Sequence, residues 1–352
     1  MTTEPHLEVR RAVRVDLADL APDALVVVAC SGGPDSVSLA AATRAVRRRA
    51  GAIVVDHQLQ DGSAAVAAST ADWLRSIGMD PVFVVAADVI PTGDGPEAAA
   101  RDARYAVLES TARACSAEAV LLGHSRDDQA ETVLLGLARG SGTRSLAGMP
   151  RRRGVFRRPL LDLPRDVVRA AVPSGAPVVD DPHNADDRFT RVRVRHTILP
   201  MLERELGPGI AAALARTADL ARADADALAE LASVATRDLM REGTVSIRSS
   251  SQDVSSSQDV SSSQDVPASL DVVGLQVLSD AIRSRVVRSW LLESGAPAGS
   301  LGAEHVVRVC RLVTDWHGQG AVALPGGIEA LRDCGRLSVR PTPRRQETPW
   351  MP

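Results

Sequence analysis

Two rhythms of apolar and polar positions divide the chain. In the first half, short unbroken apolar runs alternate with Ala-rich stretches of helical period. Residues 25–30 (LVVVAC), 52–56 (AIVVD), 81–86 (PVFVVA) and 119–123 (AVLLG) read as strands, and residues 36–49, 64–77, 97–115 and 127–139 as helices. Strands without a polar face are covered on both sides, so the alternation predicts βαβ crossovers. The expected class is α/β: a parallel twisted sheet with helices on both faces. Ligands of such sheets sit beyond the carboxyl ends of the strands, which singles out the residues following Cys30, Asp56, Ala86 and Gly123.

The helical period dominates the second half. Residues 190–204, 210–240, 278–292 and 304–313 read as helices, with strand-like pieces at 321–324, 328–331 and 337–340. The expected division is a nucleotide-binding domain over 1–205 and a mainly helical C-terminal domain over 206–342. Within the latter, SSSQDV occurs three times in tandem over 249–266. A Ser-rich, acidic segment without large apolar residues cannot offset its ordering entropy and is expected to be a disordered loop. Its deletion should leave melting temperature and turnover nearly unchanged, because long surface loops cost little. A large drop in melting temperature of the deletion variant would show the segment to be packed.

Composition narrows the function classes. No apolar run approaches the roughly 20 residues that cross a bilayer. The N-terminus carries Glu4, Glu8 and Asp16 without an apolar block, so no secretory signal is expected and the chain is read as cytoplasmic. Cys30, Cys115, Cys310 and Cys334 lie far apart with no CxxC, leaving neither a zinc site nor a disulfide framework in view. All 41 cationic side chains are Arg, which excludes a Schiff-base lysine and a Walker-type phosphate loop. Aromatic residues make up 2% of the chain, which argues against a platform of stacked bases. With a net charge of -3, any nucleic-acid surface must be local. Residues 139–169 are the place for one, since nine Arg there face only Asp162 and Asp166.

The most informative stretch is Ser31-Gly32-Gly33-Pro34-Asp35-Ser36, between the first predicted strand and helix. Glycines let backbone amides approach phosphate oxygens, a helix N-terminus adds positive potential, and the Ser hydroxyls can donate. The Asp35 carboxylate would repel phosphate unless Mg2+ lies between them, so it reads as a metal-facing acid. This loop resembles the pyrophosphate loop of the N-type ATP pyrophosphatases, the PP-loop group. Their Rossmann-like domain splits ATP into AMP and pyrophosphate and activates a carbonyl by adenylation.

Further motifs, in order over residues 25–200, resemble one branch of that group, the tRNA(Ile)-lysidine synthetases. Val55-Asp56-His57-Gln58-Leu59 is similar to VDHxLR, with Gln60 in place of Arg. Arg101-Asp102-Ala103-Arg104-Tyr105 matches RxxRY, and residues 123–132, from Gly123 and His124 through Asp128 to Glu131, match GHxxDDQxET. Arg139-Gly140-Ser141-Gly142 with Leu146-Ala147-Gly148 matches RGxG and LxG, and Arg158-Pro159-Leu160-Leu161 matches RPLL. Asp181-Pro182-His183-Asn184 has His183 where DxSN has a hydroxyl, and residues 191–196 have Val192 where RNRIRH has Asn.

The resemblance implies a ligase that forms a C–N bond. In that family ATP adenylates the wobble cytidine of CAU-anticodon isoleucine tRNA, and the ε-amine of free L-lysine displaces AMP to give lysidine. The implied cofactors are ATP and Mg2+, with ATP held by Ser31, Gly32, Gly33, Pro34, Asp35, Ser36, Asp56 and Gly123. Asp128 and Glu131 share one helix face, with His124 at its start; they either hold Mg2+ or orient the lysine ammonium and accept its proton. Arg104 is the expected phosphate contact in the transition state. Arg151, Arg152, Arg153, Arg157 and Arg158, with Arg191, Arg193 and Arg195, are expected to meet the tRNA backbone. Rival readings are a tRNA thiolase, which would need a Cys pair or CxxC, and a non-catalytic RNA-binding relative, which would not need Asp35, Asp128 and Glu131 intact.

Overall fold

A computed structural model describes residues 4–56, 62–87, 96–140, 143–179, 186–245 and 269–342. His57 to Gln60, Ser141, Gly142, residues 181–184 and the SSSQDV tandem lie outside the described residues.

The chain opens with α1 (Pro5–Asp16), which the apolar period does not mark because only Val9 and Val13 of it are buried. Then follow β1 (Val26–Ala29), α2 (Pro34–Val46), β2 (Ala50–Asp56), α3 (Ser63–Ser76), β3 (Val82–Ala86), α4 (Pro96–Ala114), β4 (Ala119–Leu121), α5 (Arg126–Ala138) and α6 (Thr143–Leu146). A small hairpin, β5 (Arg152–Arg153) and β6 (Phe156–Arg157), leads to α7 (Arg165–Ala170) and α8 (Thr190–Arg193). A π-helical turn over Val194–Ile198 joins α8 to α9 (Leu199–Glu205). Pro200 in the first turn of α9 has no N–H to return to the preceding turn, which suits a widened turn there.

The sheet order is β3-β2-β1-β4-β6-β5, parallel from β3 to β6, with β5 antiparallel at the end. Alternate residues of the first strand feed opposite layers. Val26 and Val28 pack with Val9 and Val13 of α1, Leu39 of α2 and Leu74 of α3; Leu25 and Val27 pack with Leu108 and Ala112 of α4. Each such Val or Leu side chain contributes roughly 1.5–3 kcal/mol of burial. Cover is complete for the central strands, while on the edge strand β3 Val84 is 46% exposed.

The crossovers from β1 through β3 wind outward in one direction, and α4 then carries the chain back to the other side of β1. The winding therefore reverses between β1 and β4, which opens a crevice at their carboxyl ends. Residues 31–36 and 123–128 both emerge there.

The chain forms two compact units, Met1–Ala223 and Asp224–Pro352. The change falls within the long helix α10 (Ile210–Val245), later than the position 205/206 expected from the pattern. The reason is local. Ala211 and Leu214 in its first turns join the apolar cluster of Ala130 and Leu199, and Arg222 donates to the carbonyls of Ala147 and Gly148 at 3.0 and 2.8 Å.

In the second unit, β7 (Leu270–Asp271), α11 (Val272–Val277), α12 (Asp280–Glu293), α13 (Ala303–Thr314), β8 (Val322–Leu324), β9 (Ile328–Asp333) and β10 (Arg336–Pro341) follow in order. The helices share a core of Leu275, Trp290, Leu291 and Leu312 with an antiparallel sheet ordered β7-β10-β9-β8. Among the described residues, no helix is long and apolar enough to cross a membrane.

Candidate active site

The loop after β1 is shaped by one glycine and one serine. Gly32 has φ +83°, and a Cβ there would lie 2.8 Å from Thr70 Oγ1, so both backbone and space require glycine. Ser36 Oγ donates to the Gly33 carbonyl at 2.8 Å and accepts from the Ser31 amide at 3.2 Å, which folds the loop over the start of α2. Gly33 caps that helix without a side-chain acceptor, and Pro34 occupies its first turn. The amides of that turn are thus left for an anion. Gly123 lets the end of β4 approach: a Cβ on it would lie 3.1 Å from the Asp35 carbonyl.

Asp35 sits in this first turn. Its Oδ1 is buried without a hydrogen-bond partner, and Arg169 Nε stands 3.8 Å away. Burial, reinforced by Asp128, pushes the carboxyl up to about 6 against the pull of Arg165, Arg169 and Arg195. A buried carboxylate oxygen lacking a donor, beside open helix amides, fits a hard divalent cation. Among the described residues, no cluster of three or more His, Cys, Asp or Glu side chains could cage a metal. Mg2+ is commonly held by one or two carboxylates together with substrate phosphates.

Asp128 and Glu131 do lie on one face of α5. Ser125 caps the helix, and its amide and hydroxyl donate to Asp128 Oδ2 at 2.8 and 2.9 Å. Asp128 Oδ1 accepts from Arg165 Nη2 at 2.8 Å and from Arg195 Nη2 at 3.0 Å. Glu131 is 0% exposed. Its Oε1 accepts from Arg165 Nη2 and Arg195 Nε at 2.8 and 2.7 Å, and its Oε2 from Arg191 Nε and Arg195 Nη2 at 3.1 and 3.0 Å. Burial opposes both charges, yet the arginines win: Asp128 is brought down to about 2 and Glu131 below the usual carboxylate range. Every carboxylate oxygen already accepts two hydrogen bonds, which fills its lone pairs. In this structure the oxygens expected to meet Mg2+ or an ammonium ion are occupied by arginines, and on Asp128 Oδ2 by Ser125.

His124, Arg104 and Arg195 line a cleft of about 230 Å³ with Asp35, Ser36 and Asp128. Burial drives His124 down to about 3 and its Nδ1 has no partner, so the ring is neutral at physiological pH. Arg104 is enclosed as well and has no carboxylate partner among the described residues; its Cζ stands 5.9 Å from the Tyr105 ring centroid. Asp56 ends β2, buried, beside the lining residues Ile53 and Val55.

Residues 6–202 match the PP-loop domain family, and residues 270–338 match the TilS substrate binding domain. Over 95% of its length the chain is 51% identical to the tRNA(Ile)-lysidine synthase of Thermobifida fusca, covering 97% of that protein. The chain belongs to the tRNA(Ile)-lysidine synthase family. The corresponding enzyme of Salinispora tropica is 46% identical over 95% of this chain and 96% of its own length. Among solved structures, the U34-tRNA thiolase NcsA from Methanococcus maripaludis aligns with a TM-score of 0.51 at 19% identity, over 61% of this chain and 78% of that one. That likeness is one of fold.

In this lysidine synthase family member, most of the arginines expected at a tRNA backbone have protein partners. Arg151 pairs with Asp162 and Asp219; Arg152 and Arg157 pair with Asp19 at 2.8 and 2.6 Å. Arg158 is 3% exposed and donates to the Pro150 carbonyl and the Tyr105 hydroxyl. Arg191 and Arg195, four residues apart, meet Glu131. Acidic residues distant in sequence thus neutralise what reads locally as a basic run. Arg151, Arg152, Arg153 and Arg193 are exposed, the first two in surface ion pairs and the last bonded to the Asp187 and Arg188 carbonyls.

Two lysidine synthase residues carry no motif that marks them. Arg165 opens α7 and clamps both acids, and Arg169, one turn on, reaches toward Asp35. A third, Gln129, lies inside a motif but has a packing task. Its amide exchanges two hydrogen bonds with Met149, at 3.0 and 2.8 Å, across Gly148, where a Cβ would lie 2.6 Å from Gln129 Oε1. The DDQxET and LxG motifs are thus two halves of one contact.

Proposed function

We propose that this chain forms lysidine on the wobble cytidine of CAU-anticodon isoleucine tRNA, consuming ATP and free L-lysine. The observation that carries the reading is the meeting of the SGGPDS loop and the start of α5 across one cleft, in a chain of this family. On this proposal Ser31, Gly32, Gly33 and Ser36 receive the ATP phosphates, with Asp56 and Gly123 bounding the nucleotide. Mg2+, held by Asp35, would supply charge neutralisation between that carboxylate and the phosphates.

Arg104 is enclosed without a carboxylate, so its charge is available to the phosphate under attack. His124 is neutral, so it can exchange a hydrogen bond with a base or sugar without adding a charge. Asp128 and Glu131 act through Arg165 and Arg195: they fix both guanidiniums, that of Arg195 at the cleft, and keep them from solvent. The cytidine oxygen displaces pyrophosphate from ATP, and the lysine amine then displaces AMP from the adenylated base. An unpaired anticodon base can leave its stack to enter such a cleft at modest cost. The C-terminal unit is proposed to hold the tRNA.

The test is incubation with ATP, labelled lysine and a CAU-anticodon tRNA transcript, followed by nucleoside analysis. Labelled lysidine is expected, with AMP and pyrophosphate in equal amounts. Stoichiometric ADP, or label absent from the nucleosides, overturns the reading.

A further inference from the structure

Three arginines gather around Tyr105. Arg101 Cζ lies 5.2 Å and Arg104 Cζ 5.9 Å from its ring centroid, and Arg158 Nη2 donates to its hydroxyl at 3.0 Å. Phe156 meets the same ring edge-on, 4.9 Å between centroids. The hairpin register pairs Arg152 with Arg157 and Arg153 with Phe156. Cross-strand partners share a face and neighbours in a strand alternate. Arg152 and Arg157 therefore face Asp19, while Arg153 shares the face of Phe156, whose ring meets Tyr105. Among the described residues, none of Arg101, Arg104, Arg153 and Arg158 has a carboxylate partner.

Gathering like charges without a counter-charge costs folding energy, so such a cluster points to an anionic ligand. Its members differ in place. Arg104 lines the cleft, whereas Arg101, one turn earlier on α4, and Arg153 on the hairpin are exposed. A mononucleotide in the loop leaves those two unused. A polynucleotide that inserts one base must carry its flanking phosphates past the rim.

We infer that Arg101 and Arg153, held by the Tyr105–Arg158–Phe156 pedestal, are a docking strip for the RNA phosphodiester backbone beside the inserted base. This deepens the proposed function and rests on it. Arg151, Arg152 and Arg157, already paired, are not part of the strip.

The experiment measures binding of the CAU-anticodon transcript to the full chain by filter retention between 50 and 200 mM salt. Arg101→Gln/Arg153→Gln is compared with the control Arg151→Gln/Arg152→Gln. Loss of two phosphate contacts should flatten the slope of log affinity against log salt by about 1.5 units and weaken binding roughly tenfold at the lowest salt. The control should keep its slope within about half a unit. Arg101→Lys/Arg153→Lys should keep the wild-type slope, which ties the effect to charge. ATP binding, followed by equilibrium dialysis, should be unchanged in all three.

An unchanged slope in Arg101→Gln/Arg153→Gln, or equal flattening in the control, overturns the strip. Lysidine formation by the wild-type chain is scored in parallel. Its failure removes the proposed reaction, whereas an unchanged slope alongside an active wild type removes only the strip.

Discussion

Asp35→Asn is expected to abolish lysidine formation while raising the melting temperature of the nucleotide-free protein at pH 8. The carboxyl is pushed up to about 6 in the folded chain, against 3.8 as its ordinary value, chiefly by burial. Between those values the folded state keeps a proton that the unfolded chain has released. Its contribution is therefore complete below about pH 4 and lost as pH rises through 6. At pH 8 the wild type carries a buried, ill-paired charge that costs on the order of 3 kcal/mol. Asn removes the charge and keeps the shape, so the melting temperature should rise by several degrees at pH 8 and hardly move at pH 4. The same charge is the proposed Mg2+ ligand, so turnover should fall by at least about a thousandfold. Thermal scans at both pH values, with the nucleoside assay, check the pair of effects. A lower melting temperature at pH 8, or retained lysidine formation, would refute the account of Asp35.

Glu131→Ala should do the reverse to stability and also abolish turnover. Glu131 is 0% exposed, and Arg165, Arg191 and Arg195 all bond to it. Removing one side of a buried ionic network leaves the others uncompensated, at a cost of about 3–5 kcal/mol. Urea unfolding at pH 7 measures it, and a loss below about 1 kcal/mol would show the network to be incidental. Glu131→Gln separates charge from volume. Asp128 and Glu131 titrate below their ordinary range, so their contribution is present above about pH 4.5 and lost as pH falls through the lowered values. The Gln variant should therefore lose less stability than the wild type between pH 5 and about pH 2.

The two variants rest on one arrangement, in which a single short helix serves all three acids. Arg165 and Arg169 are one turn apart on α7, the first on Asp128 and Glu131, the second facing Asp35. The proposed metal-facing carboxylate and the acid pair are thus not independent, and Asp128 itself raises Asp35.

The amino-acid sequence by itself determined the parallel sheet, because uninterrupted apolar runs such as VVVA leave no polar face for water. It also pointed to the candidate site, since Gly32 and Gly33 after the first strand and GHSRDD after the fourth stand where parallel strands end. The hairpin at 152–157 and helix α1 escaped the pattern. The first is too short to show a period, and the second buries only Val9 and Val13. Tertiary structure alone decided what each charge meets. Arg151, Arg152 and Arg157 read as a basic run until Asp162, Asp219 and Asp19 are brought against them, and Glu131 reads as a free acid until three arginines fill its oxygens. Apolar pattern is a property of neighbours in the chain, whereas charge compensation is a property of neighbours in space. Asp19 and Arg157 became a pair only when the chain between them had folded.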